Sequence, residues 1–330
     1  MSGASLADRI DQTLSPVSDV VSSIVFVSVD IAGVSMPLVV AWLMAGGVFM
    51  TIAFRFLNLT GFRHAWSVVA RRRDDHKGDG EITHFEALSA ALSGTVGLGN
   101  IASVPVAIVL GGPGAIFWMV LAGFFGMTLK FAECTMAVKY RRVQSDGRVI
   151  GGPMYYIEAA FERIGAKAVG KGAALFFAVM TVGASISLFQ INQSHAQFAN
   201  VTGLAAPVAY GVIMSSLVAL VVLGGVRRVG RVASMLVPFM AVIYVAAGLF
   251  IIMANITALP GAIALIFESA FGLDAAGGGI IGALINGMKR ATYSSEAGVG
   301  SAAIVHASVK TDNPLTEGHV ALLEPFIDTV

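Results

Sequence analysis

Four stretches without Asp, Glu, Lys or Arg, at 31–54, 87–129, 172–226 and 232–267, constrain this 330-residue chain more than any other feature. A helix crosses the hydrocarbon core of a bilayer with about 20 residues. The first run therefore holds one span, and the second and third hold two each. The fourth holds one span and the start of an irregular stretch. Buried helices of a soluble protein would need uncharged runs nearer about 10–14 residues. Composition agrees, at 56% hydrophobic and 12% charged, where soluble domains carry about 25% charged residues. The fold class expected is an all-α polytopic membrane protein.

Spans are predicted at 36–56, 84–110, 114–138, 172–196, 206–226, 232–254 and 279–308, with an eighth beginning near 320. Of 21 basic residues, 17 fall in alternate loops: 57–83 with Arg55 at its edge, 139–171, 227–231 and 309–319. The opposite loops, near 111–113, 197–205 and 255–278, hold none. The positive-inside rule makes the basic loops cytoplasmic, as in a multi-pass protein of the cell's inner (plasma) membrane. "RRRDDHKGDG" (71–80) reads as a solvated cytoplasmic turn. Residues 1–35 form an N-terminal segment, in which the apolar stretch 17–34, interrupted by Asp19 and Asp30, suits an interfacial helix. No cleavable leader is read in the polar first 19 residues. The formal net charge of +1 gives no reason to expect nucleic acid, and the single cysteine, Cys134, reads as a packed thiol.

"SGTVGLGNIA" (93–102) satisfies the dinucleotide pattern G-x-G-x-x-G/A. That pattern has meaning only after a strand, with an acid about 20 residues further on. Here an alanine-rich helical run precedes it, and the next acid after Glu86 is Glu133. The glycines have another use. Gly94, Gly97 and Gly99 sit mid-span, where each costs about 1 kcal/mol relative to alanine, so together they favour breaking the helix. A break in hydrocarbon is tolerated where it lines a cavity. Close helix–helix contact would be the other use. A second copy, Gly298-Val299-Gly300-Ser301, superposes on Gly97-Leu98-Gly99-Asn100 inside another apolar span, running in the opposite direction on this topology. Paired interrupted helices of opposite orientation point to the midplane site of a secondary transporter.

Freed N–H groups at such breaks bind a carboxylate, and freed carbonyls bind a cation or ammonium. A zwitterionic amino acid offers both partners, and sodium would find hard oxygens in unwound carbonyls with the Thr95 and Asn100 side chains. No cofactor is implied, and no His/Cys/Asp/Glu cluster has transition-metal spacing. Gln190 lies near the outer end of its span, as an interfacial cap or a substrate contact. Lys130 and Glu133 stand at i, i+3, where they can pair, and are read as structural. Lys289, Arg290 and Glu296 flank the second break, as functional charges or as a clamp on the broken helix. A channel would show polar rings without paired breaks. An intramembrane enzyme would need a catalytic constellation, and Asp74-Asp75 lacks the second aspartate cluster that a prenyl-transfer enzyme would use.

"GGPGAIFWM" (111–119), "FEALSAALSGTVGLGNIA" (85–102), "GGPMYYIE" (151–158), "KRATYSSEAGVGSAAIVHASVKTDNP" (289–314) and "EPFIDT" (324–329) resemble, in colinear order, the alanine/glycine:cation symporters, the sodium–alanine symporter family. Val120 stands where that signature usually has tryptophan, and Ser295 where it mostly has asparagine. The resemblance implies a leucine-transporter-type inverted-repeat helical bundle over 36–330. One extra N-terminal helix would precede a first repeat over 84–254 and a partial second repeat over 279–330. It implies sodium-coupled (or, in the same fold, proton-coupled) symport of alanine or glycine by alternating access. By the same resemblance the Leu98 and Gly99 N–H groups hold the substrate carboxylate. The Thr95 carbonyl and Asn100 side chain face a sodium beside it, and the Ser93 and Val96 carbonyls form half of a second sodium site. Gln190, Tyr293 and Ser294 wall the pocket. The rest of the fold, with a serine–threonine pair completing the second sodium site, is expected beyond residue 330. Neither oligomeric state nor substrate stereochemistry is legible.

Overall fold

The computed structural model describes residues 15–16, 19–20, 22–23, 25–31, 33–70, 78–185, 188–272 and 279–330. Most of the charged turn at 71–80 therefore lies outside the described residues. Two short strands, β1 (Ser28–Ile31) and β2 (Val34–Pro37), pair as an antiparallel hairpin. This replaces the C-terminal half of the expected interfacial helix. Gly33, at φ 81, makes the tight turn that a continuing helix could not.

Helices follow in the order α1 (Leu38–Ala53), α2 (Leu57–Thr60), α3 (Phe62–Ala70), α4 (His84–Thr95), α5 (Leu98–Ile101), α6 (Ser103–Gly111) and α7 (Ala115–Lys139). A hairpin of β3 (Arg142–Val143) and β4 (Val149–Ile150) leads to α8 (Pro153–Arg163), α9 (Lys167–Ala184), α10 (Leu188–Thr202), α11 (Pro207–Val222), α12 (Gly225–Ala254) and α13 (Leu259–Phe271). The last four are α14 (Gly279–Ser295), α15 (Ser301–His306), α16 (Pro314–Ala321) and α17 (Leu323–Thr329).

By length and composition α7, α9 and α12 can each cross a bilayer, and α1 with α2–α3 makes a fourth span if that pair, bent by 67°, counts as one. The other expected spans are assembled from shorter pieces. The one predicted over 172–196 is divided between α9 and α10. The stretch after 254, read as irregular, carries α13, whose Pro260 sits in the first turn, where a proline's missing N–H costs nothing. Helices α11 and α12 bury few residues and expose Val212, Leu217, Leu236, Phe239, Val242 and Phe250. That surface suits lipid and would be a liability in water.

Helix α7 is the centre of the packing and touches α1, α14, α15, α16 and α17. Its small residues let them close in. A Cβ added at Gly126 would stand 3.0 Å from Ala297 Cβ, and one at Gly123 would stand 2.9 Å from Thr329. Helix α4 begins with a capping box, in which the Thr83 hydroxyl accepts from the Glu86 N–H and the Glu86 carboxylate accepts from the Thr83 N–H.

The two spans 84–111 and 279–306 lie side by side and antiparallel. Ile82, just before the first, bridges Val309, just after the second. Midway, Asn100 meets Ser294, and at the far end the Asn286 amide reaches the Leu110 carbonyl. At the end where Ile82 meets Val309, the Arg141 guanidinium donates to the carbonyls of Ala307, Val309, Thr311 and Asp79. This one side chain satisfies backbone acceptors on both segments.

Candidate functional site at the junction of two broken helices

Both spans are interrupted at their glycine clusters. Helix α4 ends at Thr95, Val96 is extended (φ −75, ψ 96), and the single turn α5 restarts at Leu98. Gly97 caps that turn: its carbonyl accepts from the Asn100 and Ile101 N–H groups, and its own N–H donates to Asn100 Oδ1 at 3.1 Å. In the second span α14 ends at Ser295, and Glu296, Gly298 and Gly300 take φ of 48, 89 and 87 before α15 begins. Two glycines in the left-handed region let the backbone reverse at little steric cost. Glu296 bears the strain of a side chain there, and its carboxylate accepts from Ser301 Oγ at 2.5 Å across the break. The Gly298 and Gly300 N–H groups are turned toward the carboxylate of Glu133 on α7.

The breaks meet at one polar junction. Asn100 Nδ2 donates to Ser294 Oγ at 2.9 Å and to Asp328, at both the backbone carbonyl and Oδ1, at 2.7 Å each. Ser294 Oγ donates to Asp328 Oδ2 at 3.0 Å, and Thr329 Oγ1 donates to the same oxygen at 2.6 Å. Asp328, on α17, thus ties both broken spans together. Among the described residues it forms no ion pair, so the junction carries an unpaired carboxylate.

Other residues singled out above fall at varying distances from this point. Thr95 is buried at the first break, and its hydroxyl has no partner among the described residues. Gln190 approaches the same break: a Cβ added at Gly97 would stand 3.8 Å from its Nε2. Leu98 and Gly99 lie in α5, and beyond that helical course their placement falls outside the described residues. Ser93 and Gly94 are still within α4, with the Ser93 hydroxyl bonded to the Ala90 carbonyl at 2.6 Å. Val96 packs against the buried cluster that includes Leu88, Leu92 and Val237. Tyr293 is 58% exposed, beside the buried Ser294. Lys289 and Arg290 make no ion pair among the described residues.

Lys130, which could have paired with Glu133, takes another partner. Lys130 Nζ donates to Glu324 Oε1 at 2.9 Å, with both side chains fully buried. A buried ammonium is best compensated by a carboxylate approaching head-on, and Glu324 on α17 does so from across the packing interface. Next to this pair, Glu317 on α16 bonds His306 Nδ1 through one oxygen and His84 Nδ1 through the other. Burial alone would raise the Glu317 carboxyl, but His306 and His84 hold it below the usual value. Sequence reasoning assigned no role to Glu317, Glu324 or Asp328. The signal available was an ionisable pair at i, i+4 in the apolar "EPFIDT" (324–329).

Long apolar helices, with two antiparallel spans broken at mid-length around a shared polar junction, define a helical, multi-pass membrane protein. The chain belongs to the sodium:alanine symporter family, whose sequence profile matches residues 19–330. It is 40% identical over 296 residues to the sodium/alanine symporter AgcS of Methanococcus maripaludis, covering 89% of this chain and 65% of that protein. It is 39% identical over 290 residues to an uncharacterized transporter of Haemophilus influenzae, covering 86% of this chain and 62% of that protein. Against the amino-acid carrier protein AlsT of Bacillus subtilis it is 33% identical over 286 residues, or 86% and 59% of the two chains. The chain thus spans less than two thirds of the length of these relatives.

Proposed function

We propose that the protein is a sodium-coupled symporter of a small neutral amino acid, alanine or glycine. It works by alternating access at a midplane site in the plasma membrane, in a leucine-transporter-type inverted-repeat bundle. One observation carries the reading: the Asp328 carboxylate, half-buried where the two breaks meet, accepts from Asn100, Ser294 and Thr329 and has no cationic partner among the described residues. A charge held within a bilayer-spanning bundle costs several kcal/mol unless it is paired. Sodium or the substrate ammonium supplies the missing cation, and a carboxylate suits sodium as a hard oxygen ligand.

The remaining roles follow from the helix ends. The N–H groups of Leu98 and Gly99 take the substrate carboxylate, while Gln190, Tyr293 and Ser294 bound the pocket. Thr95, with an unpartnered hydroxyl at the first break, and the carbonyls of Ser93 and Val96 contribute oxygens to sodium. The name of AgcS as a sodium/alanine symporter supports this substrate and ion. A ligand shifts a conformational equilibrium only by its differential affinity for the two states, so sodium must bind the substrate-loaded form better if it is to drive uptake.

Uptake of labelled alanine by the full-length protein in proteoliposomes tests the reading. Accumulation should require an inward sodium gradient and collapse when potassium replaces sodium. Uptake indifferent to sodium would refute the coupling, and conduction without saturation would favour a channel.

A further inference from the structure

A cavity of about 260 Å³ lies at the end of the bundle where Ile82 meets Val309. Arg227 and Arg231 line it from α12, Lys310 from the segment after α15, and Glu81, Thr83 and Glu86 from the entry to α4.

The two carboxylates are already engaged. Glu86 accepts from the Thr83 N–H within the capping box. Glu81 accepts from the Val149 N–H through Oε1 at 3.3 Å and faces Arg227 Nε through Oε2 at 3.6 Å. Arg231 and Lys310 form no ion pair among the described residues. The Thr83 hydroxyl accepts from the Glu86 N–H and keeps its own proton to donate. Guanidinium, ammonium and hydroxyl donors therefore converge on one space, with room for a phosphate group and water around it.

Helix α12 adds a second reason for an anion here. Arg227, Arg228 and Arg231 stand in its first two turns, at the positive end of the helix dipole, and the helix contains no acid. That placement is unfavourable until a negative charge joins it. The 30 residues of α12 make about 45 Å of helix against a hydrocarbon core of about 30 Å, so its basic first turns reach the headgroup layer.

Position around the helix distinguishes one anion from another. Gly230, Ala233 and Val237 are buried, with Gly230 against Ile82 and Glu86. Met235, Phe239 and Val242 follow Arg231 at i+4, i+8 and i+11, share its face and are exposed. Arg231 thus borders both the face packed on α4 and an apolar strip open to lipid. A free phosphate would use the cavity alone, whereas a phospholipid uses the cavity and the strip.

We infer that the cavity holds the phosphate of an anionic phospholipid whose acyl chains lie along Met235, Phe239 and Val242. Arg231 and Lys310 donate to the phosphate oxygens with the Thr83 hydroxyl, and Arg227 adds its charge beside them. A zwitterionic headgroup brings a cation of its own among these three and is disfavoured. One lipid so placed touches α12, the start of the first broken span and the segment after the second, and fastens them together. The inference rests on the protein's place in a membrane and on neither the substrate nor the ion proposed above.

Native mass spectrometry of the full-length protein in detergent, titrated with phosphatidylglycerol, phosphatidylcholine or inorganic phosphate, reads the site. Phosphatidylglycerol should bind saturably and about tenfold or more tighter than phosphatidylcholine, and inorganic phosphate at equal concentration should not displace it. Each basic residue near the membrane surface is worth about fivefold in affinity, so Arg231→Gln with Lys310→Gln should weaken binding about twenty-five-fold. Glu81→Gln keeps an acceptor for the Val149 N–H, removes a negative charge from the cavity and should tighten binding about fivefold. Arg148→Gln, in the exposed β3–β4 turn, should change it by less than about twofold. Should the double variant fold poorly, the tightening in Glu81→Gln decides. An equal loss in Arg148→Gln would mean general attraction to a basic surface, and displacement by inorganic phosphate would mean a site for the free anion. Either result overturns the proposal, as does unchanged affinity in the double variant or in Glu81→Gln.

Discussion

Asp328→Ala should lower sodium-driven alanine uptake by roughly a hundredfold or more, equivalent to about 3 kcal/mol. The carboxylate accepts from Asn100 on the first broken span and from Ser294 on the second. Hydrogen bonds to a charged group are worth about 1.5–3 kcal/mol each, so losing both separates the halves of the site. The isosteric Asp328→Asn distinguishes charge from architecture. An amide can still link Asn100 and Ser294, so the thermal midpoint of purified Asp328→Asn should stay near that of the unmodified protein. Its uptake should nonetheless fall, because the negative charge that attracts the cation is gone. Full uptake in Asp328→Asn would show that the residue only holds helices together.

The second large effect is on stability. Glu324→Ala leaves the Lys130 ammonium fully buried without its partner at 2.9 Å. Removing one member of a buried pair costs about 3–5 kcal/mol. Unfolding in detergent, followed by tryptophan fluorescence or thermal aggregation, should show a much lower midpoint for this variant. The double change Lys130→Met with Glu324→Leu removes both charges and should regain most of the loss. A single variant as stable as the parent would mean that Lys130 is compensated elsewhere, with Glu133 the first candidate.

Much of the helical plan was legible because hydrocarbon leaves a plain record: charge-free runs long enough to cross a bilayer. The two interruptions were legible for a related reason. Glycine pairs such as Gly298 and Gly300 are costly in a helix and well suited to positive φ, so their presence mid-span marks where the backbone turns. The break between α9 and α10 was not legible, since uncharged composition says where hydrocarbon can lie and nothing about where a helix within it stops. The hairpin at 28–37 was missed because two four-residue strands carry too little alternation to be told from a short helix.

The polar junction shows a different limit. Asn100 could be named because it sits on a glycine cluster, and Ser294 because the family resemblance marks it beside the second one. Asp328 could not be joined to them. It lies 228 residues from Asn100, and only tertiary packing brings α17 against both breaks. Lys130 and Glu133 misled for the same reason. Spacing of i, i+3 makes a pair possible along one helix, but in a bundle each side chain chooses among all packed neighbours, and Glu324 from the facing helix won. Glu317 and its two histidines illustrate the rule again, with partners 11 and 233 residues away.

The claim at the centre of this account is that the two breaks and Asp328 form one binding site for the amino acid and its ion. Tyr293, 58% exposed beside the buried Ser294, is the place to test it. The one cysteine of this 330-residue chain, Cys134, is buried, so within it a Tyr293→Cys variant reports through the introduced thiol. Its rate of labelling by a small methanethiosulfonate is measured with alanine, with sodium, and with both. The account predicts that alanine slows labelling strongly in sodium and hardly at all in potassium. A labelling rate that alanine leaves unchanged in sodium, in a variant that still takes up alanine, would contradict it.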